Sequence, residues 1–445
     1  MKRSGKSRPA RKARPQEDYN RQLRAALARY LPTRGLPLIQ GALRWSDRLL
    51  VLVALLMAFS PLGTLQDRFA EARQAVVGMY GSRRRPGRTY AGFSARLVGV
   101  SPRLLGPVVE ALQRHLIRVA GADAWRVGRH LAFAGDGSQE DLPRTKANRR
   151  RCRPGGKKKS GPQQLLVSVL HVGTGLLWSW RRGPARSSER GLLLAQLAGV
   201  PAGALLLLDA GFTGHEVLTA ILTQGLHVLV RAGANVRLLR KLGWTVVEKG
   251  HWVYLWPQAL QGQGQPPLVL RKIVLIGRRN RRICLLTDLL EDRDLTVAEA
   301  GELYRRRWDV ELLFRGLKQT LDRRKMLSGT PDHGAVELDW TVAAYGLLGL
   351  LLYEQRPEKV SATQGLAAAL RLVRQALAGR GDRRRRWAAG WEKLRVDRYV
   401  RLRPKRAWCW PHKKNDPPCR TPQVRMATPT EVRRAKRLAL LCRAA

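Results

Sequence analysis

The sequence predicts an α/β protein in which a mixed sheet is covered by helices, interrupted by an all-β segment and preceded by a helical region. Three observations carry this prediction. Between about 21 and 120 the apolar residues keep helical spacing, and no run reads as a strand. From about 130 a strand–turn–strand pattern passes into alternating helices and strands, the order of a mixed sheet with helices on it. Between about 235 and 290 the pattern changes to short alternating strands.

Residues 1–20 are basic, contain proline and lack periodicity, so they are expected to form a disordered tail. The helical region 21–120 is broken at Pro61-Leu62-Gly63 and in the basic stretch Arg83 to Gly87. It suits either a nucleic-acid-recognising domain or helices packed on the core. The first part of the core is expected at 121–234. Its strands are 131–134, 164–171, 176–180, 204–208 and 227–230, with a turn at Gly173-Thr174-Gly175. A helix is expected at 188–198, and another starts at Thr213, capped by Thr213 with Glu216. The all-β insertion 235–290 offers strands at 244–248, 251–256, 268–276 and 283–286, with a loop at 261–266. The second part of the core, 291–380, holds apolar helices at about 334–353 and 360–378. A basic C-terminal tail, 381–445, follows.

Lys and Arg number 83 against 33 acids in 445 residues, a formal charge of +50 spread along the chain. Such a charge binds polyanions unless it is compensated. Nucleic acid fits better than a membrane, because the longest apolar runs, 49–59 and 342–353, fall short of the roughly 18 residues of a spanning helix. No apolar stretch backs the basic N-terminus, so no signal peptide is expected. Five scattered cysteines do not make a disulfide framework, which suits a reducing cytoplasm. Cys409, His412 and Cys419 lack a fourth zinc ligand at a standard spacing.

The most informative stretch lies near 310. Thr296 and Glu299 form a capping box that starts a helix. On one continuous helix, Tyr304, Arg307, Glu311 and Lys318 return within about 60° of each other. Leu303, Val310, Phe314, Leu317 and Leu321 form an adjoining apolar face. A carboxylate among two cations and a phenol suits work on a phosphate: the acid can hold a metal, and the others can hold oxygens. The plainer reading is a solvated face with ordinary ion pairs.

Phosphodiester cleavage with two metal ions needs further carboxylates at strand ends. Asp209 closes the apolar run Leu205 to Leu208, above the sheet, where sites in such folds lie. Asp136 follows a short apolar strand between Gly135 and Gly137, which suit either a close backbone approach or a tight turn. After it come Arg144, Lys146, Arg149, Arg150, Arg151, Arg153, Lys157, Lys158 and Lys159. This run can gather phosphates or remain a solvated loop.

Tyr304-x2-Arg307-x3-Glu311-x6-Lys318 resembles the signature of bacterial DDE transposases of the insertion-sequence-four type. The stretches 303–308 and 285–289 look like the family's text before it, although Asn is commoner where Asp288 stands. Asp209-Ala210-Gly211-Phe212 resembles its second motif, and Asp136-Gly137-Ser138 its first. The resemblance covers roughly residues 90 to 355. It implies a ribonuclease-H-like core with a β insertion, and Asp136, Asp209 and Glu311 as catalytic metal ligands. Two Mg²⁺ ions, replaceable by Mn²⁺, would be bound, and Tyr304, Arg307 and Lys318 would hold DNA phosphates. It further implies cleavage at the inverted repeats ending a mobile element, joining to target DNA, a homodimer in the synaptic complex, and residence on the nucleoid. Residues 21–120 then become a candidate DNA-end-binding domain. In well-known members a Trp just before the Leu-Leu-Thr stretch stacks on a flipped base, and Ile283 occupies that position here. Trp252 or Trp256 could substitute. Two other readings are a catalytically inactive repressor derived from a transposase and a stand-alone ribonuclease-H-like nuclease.

Overall fold

The computed structural model describes residues 15–32, 36–38, 44–80, 86–153, 161–276, 282–355, 365–377, 387–396 and 421–444. Several expectations lie outside these residues: Met1 to Arg14, Arg83 to Arg85, Lys157 to Lys159, Arg383 to Arg386, Lys413-Lys414 and the Cys409/His412/Cys419 trio. In chain order the helices are α1 (Pro15–Tyr30), α2 (Asp47–Phe59), α3 (Leu65–Tyr80), α4 (Tyr90–Trp125), α5 (Lys146–Arg151), α6 (Glu189–Leu194) and α7 (His215–Thr223). They continue with α8 (Gln258–Gly262), α9 (Val297–Arg306), α10 (Asp309–Arg315), α11 (Pro331–Glu354), α12 (Leu366–Leu377), α13 (Trp387–Val396) and α14 (Pro429–Ala444). The strands are β1 (Ala132–Asp141), β2 (Gln163–His171), β3 (Leu176–Pro184), β4 (Leu205–Leu208), β5 (His227–Ala232), β6 (Arg237–Arg240), β7 (Trp252–Leu255), β8 (Leu268–Ile276), β9 (Arg282–Thr287) and β10 (Gln423–Met426).

The chain divides into two compact units. One is helical and joins residues 1–119 and 142–148 to 316–398. Its centre is built from helices that are apolar all round, which must be covered on every side. In α2, Leu49 to Phe59 are all buried, and in α11 so are Leu338 to Tyr353. Each fully buried Leu among them contributes about 1.5–3 kcal/mol. Ser46 and Thr330 cap these two helices through Leu49 N and His333 N. α2 and α11 cover one another, and residues 316–377 group in this unit with α1 to α3 and most of α4. At 24 residues α11 is also longer than its apolar run suggested. It is long and apolar enough to cross a membrane by length and composition, and 94% of its most apolar window is buried inside the fold.

The other unit carries one ten-stranded mixed sheet in the order β10-β6-β7-β8-β9-β5-β4-β1-β2-β3. β1, β2 and β3 form an antiparallel meander, and β4 and β5 run parallel to β1. The expected insertion extends the core sheet: β9 pairs antiparallel with β5 and carries the sheet outward through β8, β7 and β6. Asp288 fixes that junction, accepting hydrogen bonds from Val228 N (2.8 Å) and the His227 ring (2.6 Å).

Several local expectations change. Residues 244–248 form no strand, and α8 occupies the start of the expected loop 261–266. The C-terminal stretch is not all tail: β10 pairs parallel with β6, and Ala435 of α14 is buried against Leu239, Leu242, Tyr254 and Trp256. Residues 15–20, expected in the N-terminal tail, begin α1.

Candidate active site

Asp136 and Asp209 are brought level by strand register. Adjacent parallel strands β1 and β4 pair Ala134 with Leu207, and each acid lies two residues beyond that pair. Neighbouring strands run about 4.8 Å apart, so the two carboxylates emerge side by side from one sheet face. Asp136 is not in a turn, as one reading of its glycines had it. β1 continues through it to Asp141, and Asp136 pairs with Ser168 of β2. The close-approach reading of the glycines holds. A Cβ at Gly135 would lie 3.0 Å from Leu193 Cδ1, and one at Gly137 would lie 2.1 Å from Glu189 Oε1.

Asp209 leaves β4 as the N-cap of the 3-10 turn Ala210–Phe212, and its Oδ1 accepts from Gly211 N at 2.8 Å. The expected Thr213/Glu216 cap does not form. Thr213 instead donates its hydroxyl to Arg231 O at 2.6 Å, and α7 starts at His215 after Gly214.

The signature region starts with the expected capping box, Thr296 with Glu299. It is not one helix. Backbone bonds shorten to three-residue steps at Trp308 N→Arg305 O and Val310 N→Arg307 O, which separates α9 from α10. A π-helical turn, Gly316–Thr320, follows α10. The Tyr304–Arg307–Glu311 part of the polar face survives the break. Arg307, only 8% exposed, donates to Glu311 Oε1 at 3.0 Å and to Asp136 Oδ2 at 3.4 Å, and its guanidinium lies 5.6 Å from the Tyr304 ring centroid. Because α10 packs on β1 and β2, Glu311 meets the acids of the sheet. Lys318 is partly buried on the π-helical turn and belongs to the helical unit.

Electrostatics tie the group together. Burial pushes the Asp136 carboxyl above its ordinary range. The Gly137 amide and Arg307 pull it down, and the neighbouring Asp209 and Glu311 push it up. Burial likewise raises the Tyr304 phenol. Arg307 is held more firmly charged than usual: burial opposes its charge, but Tyr304 and the Glu311 and Asp136 carboxylates outweigh it. Its buried Nε has no partner among the described residues.

As the side chains stand, no three acidic, histidine or cysteine groups among the described residues converge closely enough to chelate an ion. Asp136 and Glu311 are turned to Arg307, and Asp209 to Gly211 N. The donor set nevertheless fits a hard divalent cation, being all carboxylate oxygen. The Arg307 guanidinium stands between Asp136 and Glu311 as a cation in the position such an ion would neutralise.

Sequence reasoning missed Glu189 and Arg190 at the start of α6. Arg190 donates Nε to Gly211 O at 2.8 Å, and Glu189 lies against Gly137. Ser188 is a legible N-cap, but an acid after it reads as ordinary helix-end charge, so no pattern marked Glu189 out. Of the two tryptophans weighed as stacking groups, Trp256 is a core residue, 3% exposed, donating Nε1 to Gln265 O. Trp252 is partly buried, with the Lys249 ammonium 5.9 Å from its ring.

A family model described as the transposase DDE domain matches residues 127–347. The chain is 28% identical over 197 residues to the transposase InsG for insertion sequence element IS4 of Escherichia coli (strain K12), covering 42% of this chain and 43% of that protein. It is also 28% identical over 165 residues to the putative transposase y4zB of Sinorhizobium fredii (strain NBRC 101917 / NGR234), covering 35% and 44%. These matches span less than half the length of either relative. A piggyBac transposase, solved as a synaptic complex with hairpin DNA, aligns over 87% of this chain and 80% of its own at 10% identity and a TM-score of 0.41. The family match encloses Asp136, Asp209, Tyr304, Arg307 and Glu311 together, so that all five lie in the part of the chain that is similar to the transposase DDE domain.

Proposed function

We propose that this chain is the transposase of an insertion sequence, cutting DNA at the ends of its element and joining the freed 3′ hydroxyls to a target. The observation that carries the reading is the level placement of Asp136 and Asp209 on adjacent parallel strands, with Glu311 brought to them from α10 and linked to Asp136 through Arg307. The β3-β2-β1-β4-β5 order, with the first three strands antiparallel, supports a ribonuclease-H-like core.

Asp136, Asp209 and Glu311 would hold two divalent ions, Mg²⁺ or Mn²⁺. Bound there, the metal lowers the pKa of the attacking hydroxyl and neutralises charge at the phosphate. Arg307 is already charged and aimed at the carboxylates, so it is placed to exchange one of them for a phosphate oxygen of the incoming strand. The Tyr304 hydroxyl stays protonated and donates to a phosphate oxygen, and Lys318 is assigned a phosphate contact by the signature. Helices within 21–120 recognise the element's inverted repeats, two copies assemble on the paired ends, and the protein works on the nucleoid in the cytoplasm.

The test is cleavage of end DNA by the purified full chain in Mg²⁺ and in Ca²⁺. Nicking at the repeat boundary in Mg²⁺ supports the proposal. Tight, specific end binding with no cleavage in Mg²⁺ or Mn²⁺ would replace it with the repressor reading.

A further inference from the structure

We propose that Glu189 is a fourth carboxylate of this site and takes part in holding the divalent ions beside Asp136 and Asp209. The assignment depends on the metal-site reading above and adds a ligand to it.

Two consecutive residues at the start of α6 reach both acid-bearing strand ends. Glu189 lies against Gly137, the residue after Asp136, so closely that a Cβ there would sit 2.1 Å from Oε1 and 2.8 Å from Cδ. Arg190 donates to Gly211 O, in the turn that Asp209 caps, and its Nη1 lies 3.2 Å from where a Gly214 Cβ would be. Ser188 Oγ accepts from Gly191 N at 3.1 Å and fixes the direction in which the helix starts. Glu189 is therefore held over the space beside Asp136 and Asp209. Gly137 is the device that lets it in.

The adjacent Arg190 and the Gly137 amide offset part of its charge, but no ion pair does. Among the described residues no Lys or Arg side chain is ion-paired with Glu189, and the adjacent Arg190 directs its Nε to a carbonyl. A half-buried carboxylate beside two others is unfavourable unless a cation joins them, and among the described residues Arg307 pairs with Asp136 and Glu311. An oxygen-coordinated divalent ion supplies what is missing.

Mn²⁺ binding to the full chain, measured by calorimetry without DNA, separates the possibilities when combined with the Mg²⁺ concentration that half-saturates cleavage. Glu189→Gln should weaken Mn²⁺ binding about tenfold or more and shift the Mg²⁺ requirement upward by a similar factor. Excess metal should recover the rate, and end-DNA affinity in Ca²⁺ should be unchanged. Gly137→Ala keeps the charge but displaces the carboxylate, so it should move both readings in the same direction. A purely structural Glu189 would lower the rate at every metal concentration and leave Mn²⁺ affinity alone. Wild-type Mn²⁺ affinity and metal dependence in both variants, with Asp209→Asn impaired, would overturn the Glu189 assignment alone. Equal Mn²⁺ binding by wild type and Asp209→Asn would overturn the three-acid reading with it.

Discussion

Arg323 and Arg307 are both buried, one in each unit, and their partners differ in kind. Arg323 is 1% exposed and donates to the backbone carbonyls of Met57, Ala58, Ser60 and Asp322. Burial, helped by the nearby Arg68, lowers its pKa to about 9. Arg307 is 8% exposed, faces two carboxylates and a phenol ring, and keeps one nitrogen without a partner among the described residues. The first arginine ties the chain after α10 to the end of α2 with bonds that have no reason to change. The second is held by ionisable groups, and on the proposed function a phosphate on one side and a metal on the other would replace its partners. Burial alone does not separate a structural charge from a working one; the chemistry of the partners does.

The largest expected effect lies on the carboxylate side of this contrast. Asp136→Ala, Asp209→Ala and Glu311→Ala should each reduce cleavage of end DNA to background while leaving end binding in Ca²⁺ near wild type, since alanine cannot hold an ion. Near wild-type nicking by any one of the three removes that residue from the ligand set. Next in size, Arg323→Met should destabilise the helical unit by about 3–5 kcal/mol in denaturant melts, because four carbonyls lose their donor together. Arg307→Met should cost less, about 1–3 kcal/mol in the same melts, for leaving the Asp136 and Glu311 carboxylates without their cation. It should still slow cleavage and reduce the salt slope of DNA binding by about one unit. If Arg307→Met unfolds the protein as Arg323→Met does, the contrast between the two arginines fails.

The parts of this site that could be read in the sequence were those fixed by short-range rules. Thr296 and Glu299 predicted the start of α9 because a capping box is local, and Leu205 to Leu208 predicted where Asp209 would emerge. The break at Arg307-Trp308 was not legible. Apolar spacing averages over a change from four-residue to three-residue hydrogen bonds, and no Gly or Pro marks the joint. Glu189 could not be found because its partner, Gly137, is 52 residues away and is recognisable only by the space it leaves. The C-terminal stretch was legible in part. Thr428-Pro429-Thr430-Glu431 carries the same capping pattern as Thr296 to Glu299, but the surrounding charge concealed it.

A smaller effect distinguishes Asp136 from a structural acid by pH. The folded-state pKa of Asp136 is raised, so its contribution to stability is fully present below the unfolded value and lost as pH rises through the folded one. At neutral pH its charge therefore opposes folding. Asp136→Asn should raise the melting temperature at pH 7, and the gain should shrink as pH falls into the carboxylate range. An unchanged or lower melting temperature at pH 7 would mean that Arg307 already compensates the charge in full.

Glu431 should show the opposite sign and the smallest effect. Its carboxylate accepts from both Arg425 nitrogens (2.6 and 2.7 Å) and from Thr428 N (2.8 Å) and Oγ1 (3.0 Å), closing the cap of α14. The Arg425 pairing, aided by the Thr428 bonds, lowers its pKa to about 2. A depressed folded pKa gives stability that is present above the ordinary glutamate value of 4.5 and lost as pH falls toward 2. Glu431→Gln should therefore cost about 1 kcal/mol or less at pH 7, the value of a partly exposed charged pair, with the difference from wild type closing on acidification. Ala435 and the insertion core it packs on would loosen with it, so the loss should appear as faster amide exchange in β6 and β10 rather than in β1 or β4. Faster exchange in β1 and β4 instead would show that the outer strands and the acid-bearing strands open as one unit, and that the site depends on the C-terminal helix after all.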